Sequence, residues 1–182
     1  MNRKILQIAV PILIFLVIIG IWAYKNTNAG KTGGPEESSS AEGLTEEEKT
    51  DFALDAASFD LEKLKSYGVP IIIDFGADWC GPCREFKPIL DTAHDEMLGK
   101  AIIKYVDVDK YPDIAGKFPI SVIPTQVLIS PDGTPYVPGK DVKVQFTTFN
   151  DKNSGKPAFT IHEGGLTSEQ LQSILKDMGV TE

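Results

Sequence analysis

The stretch that decides the fold is Pro70–Cys83, which reads PIIIDFGADWCGPC. It begins with the β-branched run Ile71–Ile73, a composition typical of a strand buried in a parallel sheet. Cys80 and Cys83 follow directly, and they are the only two cysteines of the chain. A C-x-x-C pair close to a βαβ pattern indicates a redox dithiol. A bridge across so short a loop removes little entropy from the unfolded chain, so it suits cycling better than structural stapling.

The surroundings of the two cysteines predict different roles for them. Pro82 suits the first turn of a helix, which places Cys80 at the helix N-terminus, where the dipole and unpaired N–H groups stabilise a thiolate. We therefore expect Cys80 to be the attacking thiol and Cys83, one turn further in and more buried, to resolve the mixed disulfide. The alternatives are an inert bridge or a zinc site. Zinc needs about four ligands, and the only two histidines, His94 and His162, lack ligand spacing. We expect no metal, and no cofactor beyond a redox-active Cys80–Cys83 disulfide.

Helix and strand patterns alternate on both sides of this stretch, which predicts an α/β fold with a mixed central sheet flanked by helices. A helix follows the dithiol, and a capping box at Thr167 opens a closing helix. Upstream, Ser58 is expected to cap another helix. The predicted strands besides the one before the dithiol are Phe52–Leu54 at an edge, Ala101–Val108, Gln126–Ser130, a hairpin strand carrying Val142, Val144 and Phe146, and Ala158–His162.

The N-terminal residues 1–25 have the pattern of a transmembrane anchor. Arg3 and Lys4 precede the run Ile5–Tyr24, which is almost wholly apolar. About 20 helical residues span roughly 30 Å, the thickness of a hydrocarbon core. The alternative is a cleaved signal with a weak site at Thr27–Ala29, but the apolar run is longer than a usual signal core. Both interpretations place the following domain outside the cytoplasm, in an oxidising compartment.

The remaining chain divides into a linker and one domain. Residues 26–50 are rich in Gly, Ser, Glu and Lys and predict a flexible tether, although Thr45 and the acids after it could start a short helix. Residues 51–182 form the predicted domain, with an extended loop or hairpin at about 135–157. The net charge of −8, without a basic stripe in the soluble part, argues against nucleic acid as a partner.

Several motifs in order resemble the thioredoxin family over roughly Phe52–Met178. The motifs are Ile73–Cys83 as strand and active-site loop, Pro88–Leu90, Val108-Asp109, Ile123-Pro124-Thr125, and Gly164–Leu166. The resemblance implies a thioredoxin-like fold that acts on protein thiols and disulfides. It further implies that Pro124 is a cis-proline facing the dithiol, and that the Ile123 backbone pairs with substrate. The other expected substrate-binding residues are Trp79, Gly81, Pro82 and Thr125.

Asp74 is the third expected catalytic residue. It interrupts an apolar strand, so burial should raise its pKa. The resemblance implies that it exchanges a proton with Cys83 during resolution. The alternative for Asp74 is a solvated carboxylate at the end of a strand. The alternative for Pro124 is an ordinary trans peptide bond before it.

The chain departs from the family pattern at two positions near the dithiol. Gly76 stands where the family often has an aromatic residue, which would leave the rim more open. Tyr105 stands where the family often has a lysine, and Lys104, one residue earlier, should face the other way. In addition, the segment of residues 135–157 is longer than the connection that the family usually has between its last two strands.

These observations lead to one main functional hypothesis and two alternatives. The main hypothesis is a membrane-tethered, extracytoplasmic thiol–disulfide oxidoreductase that reduces protein disulfides, because Gly81-Pro82 and Ile123 resemble reducing members of the family. Such a reductase needs electrons from a membrane thiol-relay partner, and cytochrome c maturation is one plausible use of it. The alternatives are a thiol oxidase or disulfide isomerase in the same compartment, and a non-catalytic thioredoxin-like adaptor.

Overall fold

A mixed five-stranded sheet forms the centre of residues 43–181, the part of the chain that the computed structural model describes. Its strands are β1 (Ile71–Gly76), β2 (Ile102–Asp107), β3 (Thr125–Ile129), β4 (Thr147–Asn150) and β5 (Pro157–Glu163). They are arranged in the order β2-β1-β3-β5-β4. β1 and β2 are parallel, and the other neighbouring pairs are antiparallel. The α/β architecture with a mixed sheet is therefore as predicted.

Five helices accompany the sheet within residues 43–181: α1 (Glu46–Phe52), α2 (Leu61–Ser66), α3 (Gly81–Met97), α4 (Pro112–Ala115) and α5 (Ser168–Asp177). The predicted capping box at Thr167 is present, because its side chain accepts from the Gln170 N–H while Gln170 bonds back. Thr45 and Glu48 form the same motif at the start of α1. Local side-chain chemistry thus sets both of these helix starts.

Helices cover both faces of the central strands β1, β2 and β3, whose residues are almost all buried. Successive residues of a strand point to opposite faces. On one face, Ile72 and Leu128 pack against Phe86 and Leu90 of α3 and against apolar residues of α5. On the other face, the partners of Ile71, Ile73 and Phe75 include Phe52 of α1 and Leu64 of α2. Each isoleucine that is fully buried contributes about 1.5–3 kcal/mol to stability. The sheet is therefore a rigid base for the loops at its ends.

Two expectations at the start of the domain are wrong. Phe52–Leu54 is not an edge strand: Phe52 ends α1, and only the isolated bridge between Asp55 and Tyr105 pairs this segment with β2. The capping box makes residues 46–52 helical, and the Phe52 ring is buried edge-on against Tyr67. Ser58 does not cap α2, since Asp60 does so by accepting from the N–H groups of Glu62 and Lys63.

The 135–157 region contains a hairpin strand, but not the predicted one. Val142, Val144 and Phe146 lie in chain without regular structure, and β4 begins only at Thr147. The three apolar residues pack partly buried against the α3 and α5 side of the core. Phe146, for example, meets Tyr136 edge-on at a centroid distance of 5.4 Å. Their alternation therefore reflects intermittent contact with the core rather than strand pairing.

The predicted anchor (residues 1–25) and most of the predicted linker lie outside the described residues. Helix α1 extends across the predicted linker boundary at residue 50. Between residues 43 and 181, no helix has the length and apolar character needed to cross a membrane.

Candidate active site

The dithiol lies between the end of β1 and the start of α3. Cys80 is the N-cap of α3, a helix of 17 residues, and Pro82 lies in its first turn. The sulfurs of Cys80 and Cys83 are joined in a disulfide, and the Cys83 N–H donates to Cys80 Sγ at 3.2 Å. When the disulfide is reduced, the same N–H and the positive end of the helix dipole would stabilise a Cys80 thiolate.

Both cysteines are almost buried in this oxidised state, with 5% of Cys80 and 3% of Cys83 exposed. We expected Cys83 to be more buried than Cys80, and in this structure the exposed fractions of the two residues differ only slightly. Cys80 Sγ lies 3.7 Å from the carbonyl oxygen of Ile123. Ala77 and the two cysteines form a small cluster, against which Val108 and Ile123 pack. The loop that contains Ile123 therefore packs directly against the sulfur of Cys80.

The loop that faces Cys80 has the predicted backbone form. The Ile123–Pro124 peptide bond is cis. The Thr125 hydroxyl donates to the carbonyl of Val122 at 2.7 Å, and the Pro124 carbonyl accepts from Gly164 N–H at 2.8 Å. The first bond lies within the loop, and the second joins the loop to the residue that follows β5. The ordinary trans proline that the sequence left open is thereby excluded.

An apolar rim surrounds the dithiol. Trp79 is 68% exposed, and its indole N–H donates to Asp109 Oδ2 at 2.6 Å. Val122, which precedes Ile123 in the loop that faces Cys80, is 52% exposed. Next to it lies an open groove of about 490 Å³ lined by residues including Val108, Phe118, Ile120 and Ile123. The site thus offers a fixed indole and an apolar groove beside a buried sulfur pair.

The loop that carries Trp79 is held by charged and polar contacts. Lys110 Nζ lies 2.9 Å from Asp78 and 2.8 Å from Asp107, and Arg84 donates to the carbonyl of Asp78 at 3.1 Å. The sequence did not single out Asp109 or Lys110 for contacts to this loop, and no local pattern could have revealed them. These contacts connect the active-site loop to the segment after β2.

Asp74 is 1% exposed, so the predicted burial is confirmed and a solvated carboxylate is excluded. Burial raises the pKa of Asp74 to about 7, against the opposing effects of a hydrogen bond from Gln126 and the charge of Lys87. Asp74 and Gly76 point to the same face of β1, and a Cβ atom at Gly76 would lie 3.4 Å from the Cβ of Cys83. The carboxyl therefore lies on the face that supports Cys83, with a pKa suited to proton exchange near neutrality.

Comparison with known proteins assigns this arrangement to a family. A family model described as Thioredoxin matches residues 52–152, more than half of the chain. The chain belongs to the thioredoxin family. It is a thioredoxin-type redox protein, and its family generally acts on protein thiols and disulfides.

Three curated relatives illustrate the extent of the similarity. Thioredoxin from Chlorobaculum thiosulfatiphilum is 44% identical over 59 residues, which cover 32% of this chain and 55% of the relative. Thioredoxin from Rickettsia felis is 39% identical over 72 residues, covering 40% of this chain and 68% of the relative. Thioredoxin Y1, chloroplastic, from Arabidopsis thaliana is 39% identical over 66 residues, covering 36% and 38% respectively. The match to the first of these thus spans little more than half of its length.

The two departures from the family pattern, Gly76 and Tyr105, are in contact with each other. A Cβ atom at Gly76 would lie 2.9 Å from Cε2 and 3.2 Å from the hydroxyl oxygen of Tyr105. The tyrosine ring therefore occupies the space beside Gly76, and the expectation of a more open rim is wrong. Tyr105 is also the partner of Asp74 in the β1–β2 register, and Lys87 Nζ lies 5.3 Å from its ring centroid.

Lys104 faces away from Asp74, as predicted from strand alternation. It is 1% exposed, and its Nζ donates to the Ala53 carbonyl at 2.9 Å. Burial lowers the pKa of Lys104 to about 8, and the charge of Asp51 opposes this shift. Lys104 therefore binds the segment after α1 and does not contact the buried carboxyl.

Gln126 is a polar neighbour of Asp74 that the sequence reasoning missed. Its amide Nε2 donates to Asp74 Oδ1 at 2.7 Å. No comparable sequence signal marked it, because Gln126 follows the polar Thr125 at the start of β3, whereas Asp74 interrupts an apolar run in β1. The histidines lie apart from the sulfurs: His94 contacts the Phe52 carbonyl, and His162 that of Gln145. Across residues 43–181, no group of three or more His, Cys, Asp or Glu side chains could hold a metal ion.

Proposed function

We propose that this protein is a membrane-tethered, extracytoplasmic thiol–disulfide oxidoreductase that reduces protein disulfides through Cys80 and Cys83. The observation that carries the proposal is the position of the pair. Cys80 caps α3 beside the carbonyl of Ile123, and Asp74 is buried on the strand face that supports Cys83. A nucleophile, its resolving partner and a proton acceptor with a pKa of about 7 are thus assembled at one end of the sheet.

The reaction begins from the reduced dithiol. The Cys80 thiolate attacks one sulfur of a substrate disulfide, forms a mixed disulfide and releases the other substrate sulfur as a thiolate. Asp74 then accepts the proton of the Cys83 thiol, and the new thiolate attacks Cys80 Sγ. The Cys80–Cys83 disulfide forms, and the second substrate sulfur leaves and takes up a proton. Two electrons pass from the dithiol to the substrate.

The rim and groove support binding of an extended peptide. Such a segment would pair with the backbone of Ile123 in β fashion, with apolar side chains in the groove beside Val122 and Ile123. Trp79 supplies an exposed aromatic surface that its bond to Asp109 holds in place. Gly81 and Pro82 follow Cys80 in the first turn of α3, and the Thr125 hydroxyl donates to the Val122 carbonyl within the loop that contains Ile123.

The reducing direction and the location are supported by sequence features. Gly81-Pro82 in the dithiol and Ile123 before the proline resemble reducing members of the family. The charged start and apolar run of residues 1–25 suggest an anchored chain whose domain lies outside the cytoplasm. A reductase in that position needs a membrane thiol-relay partner as electron donor, and cytochrome c maturation is one use of such a relay.

The chemical part of the proposal is tested by disulfide reduction with the full chain in detergent. The reduced protein should reduce a protein disulfide, Cys80→Ser should lose that activity, and Cys83→Ser should accumulate a mixed disulfide with substrate. Cys83→Ser is the matched control because it retains the attacking thiol. Full activity in Cys80→Ser, or a strongly oxidising reduction potential, would contradict the proposal.

The location is tested in intact cells with a thiol reagent that cannot cross the membrane. Labelling of Cys80 and Cys83 in a membrane fraction is the expected result. Labelling that requires cell lysis would place the dithiol in the cytoplasm. The redox state of the pair should become more oxidised when the relay donor is removed.

A further inference from the structure

Gln126 is a buried polar side chain whose hydrogen-bonding capacity is only half used. It is 0% exposed, and its Nε2 donates to Asp74 Oδ1 at 2.7 Å. Its Oε1 is the one buried side-chain oxygen or nitrogen within residues 43–181 that has no hydrogen-bond partner. A buried acceptor without a partner carries a desolvation penalty, so such a group calls for a role.

The position of Gln126 connects it to the chemistry of the site. It is directly opposite Asp74 in the β1–β3 register, and directly opposite residues on paired strands share a face. Leu128, the next residue of β3 on that face, is apolar and packs in the core. An apolar residue at position 126 would satisfy the same packing without an unpaired oxygen. The amide is therefore explained by its neighbour rather than by the core.

The two protonation states of Asp74 require different partners. An ionised carboxylate only accepts hydrogen bonds, whereas a protonated carboxyl also has an O–H to donate. A glutamine amide carries both a donor and an acceptor, and rotation of its terminal bond exchanges them without movement of the backbone. The observed contact, Nε2 to Oδ1, serves the ionised state. The unpaired Oε1 is available to serve the protonated one.

We propose that Gln126 is a positioning residue that keeps Asp74 hydrogen-bonded in both of its protonation states while the carboxyl exchanges a proton with Cys83. In the ionised state, Nε2 donates to the carboxylate. After Asp74 takes the proton from the Cys83 thiol, the amide rotates and the Asp74 O–H donates to Oε1. This inference rests on the proposed function, because the proton exchange belongs to the resolving step of the dithiol.

Other titratable groups face Asp74 from the elements around it. Lys87 and Cys83 lie on α3, and the charge of Lys87 favours the ionised carboxylate. Tyr105 lies opposite on β2, and burial raises its pKa to about 12, so it stays protonated near neutrality. His162 of β5 is paired with Gln126 in the register and contacts the Gln145 carbonyl. Among these neighbours, Gln126 makes the hydrogen bond to the carboxyl.

The direct test is the titration of the Asp74 carboxyl by ¹³C NMR in the oxidised full chain. The test variant is Gln126→Met, which keeps the approximate size of the side chain and removes both polar atoms. Because the hydrogen bond to the charged form is the stronger of the two, its loss should raise the titration midpoint by about one pH unit. The ionised fraction at pH 7 would fall from about one half to about one tenth, so the resolving step should slow about fivefold there.

A second measurement needs no substitution. The side-chain amide resonances of Gln126 in the unmodified protein should shift with pH at the same midpoint as the Asp74 carboxyl. A Gln126 side chain that only packed in the core, without a bond to the carboxyl, would not follow the Asp74 titration. In Gln126→Glu, two adjacent carboxyls should titrate in two separate steps.

The control is Val127→Ala. Val127 is fully buried on the opposite face of β3, so this variant should be less stable while the Asp74 midpoint stays unchanged. The inference is overturned if Gln126→Met leaves the midpoint within a few tenths of a unit, or if the Gln126 amide resonances do not follow Asp74. Failure of the unmodified protein to reduce a protein disulfide would instead contradict the proposed function, and the titrations would still decide the role of Gln126.

Discussion

Asp74 and Lys104 are two ionisable side chains buried on opposite faces of the same sheet. They lie on the neighbouring strands β1 and β2, and each is 1% exposed. Burial raises the pKa of Asp74 to about 7 and lowers that of Lys104 to about 8. The same physical cause, loss of water around a charge, moves both groups towards their neutral forms.

The surroundings of the two groups decide what each can do. Asp74 faces the α3 side of the sheet, which supports Cys83, and its hydrogen bond comes from an amide. Lys104 donates to the Ala53 carbonyl and holds the segment that follows α1. A shifted pKa alone therefore does not identify a catalytic group. We propose a catalytic role for Asp74 and not for Lys104 because of their positions relative to the sulfurs, and the following predictions test this distinction.

The largest expected effect is on the pH dependence of stability through Asp74. Its folded-state pKa of about 7 lies above the unfolded value of 3.8, so the folded protein holds the proton more tightly. The contribution of Asp74 to the free energy of unfolding should fall by about 4 kcal/mol as the pH rises from about 3 to about 8. Asp74→Asn should remove that fall in denaturant titrations of the oxidised chain. The control Asp132→Asn, at an exposed turn, should keep it.

The contribution of Lys104 to stability should change with pH in the direction opposite to that of Asp74, and Lys104→Met tests this. The folded-state pKa of Lys104, about 8, lies below the usual 10.5, so its burial cost is present below pH 8 and disappears as the pH rises to 10.5. The variant's stability relative to the parent should thus decrease by about 3 kcal/mol across that range. Denaturant unfolding at pH 7 and pH 10.5 measures the change. The exposed Lys143→Met is the control, and an equal pH dependence in both variants would contradict the prediction.

The two groups should separate most clearly in their effect on the reaction rate. Asp74→Asn should slow protein disulfide reduction at pH 7 by about 100-fold, the usual contribution of a general acid or base. Lys104→Met should leave the rate unchanged, because its amine lies on the other face of the sheet. Stopped-flow measurement of Trp79 fluorescence can follow the reaction. A comparable loss of rate in the lysine variant would break the distinction between the faces.

The smallest effect is expected at Gly76, which lies between the carboxyl and the dithiol. In Gly76→Ala the new Cβ would lie 2.9 Å from the Tyr105 ring, and displacement of the ring should lower stability by about 2 kcal/mol. The cost should decrease when Tyr105→Leu is present as well, as a double-mutant cycle measures. Gly81→Ala is the control, because a Cβ there meets nothing within 4 Å. Equal costs in the two backgrounds would contradict the proposed contact.

Features that depend on neighbours in sequence were predictable. The dithiol at the start of α3, the helix start at Thr45 and the capping box at Thr167 involve residues three positions apart. The errors arose where local patterns were ambiguous. Val142, Val144 and Phe146 alternate as strand residues do, yet only their contacts with Tyr136 and the helices explain the pattern. Short apolar runs support several structures equally until their partners are known.

The sequence by itself determined the chemistry that this protein carries: two cysteines at a helix N-terminus, a carboxyl in an apolar strand and a proline loop opposite. The tertiary structure alone decided how that chemistry is adjusted. The amide of Gln126 reaches Asp74 across a separation of 52 residues, and the ring of Tyr105 fills the space beside Gly76. The physical reason is that strand order and register, which depend on the packing of the whole core, bring these residues onto one face of the sheet.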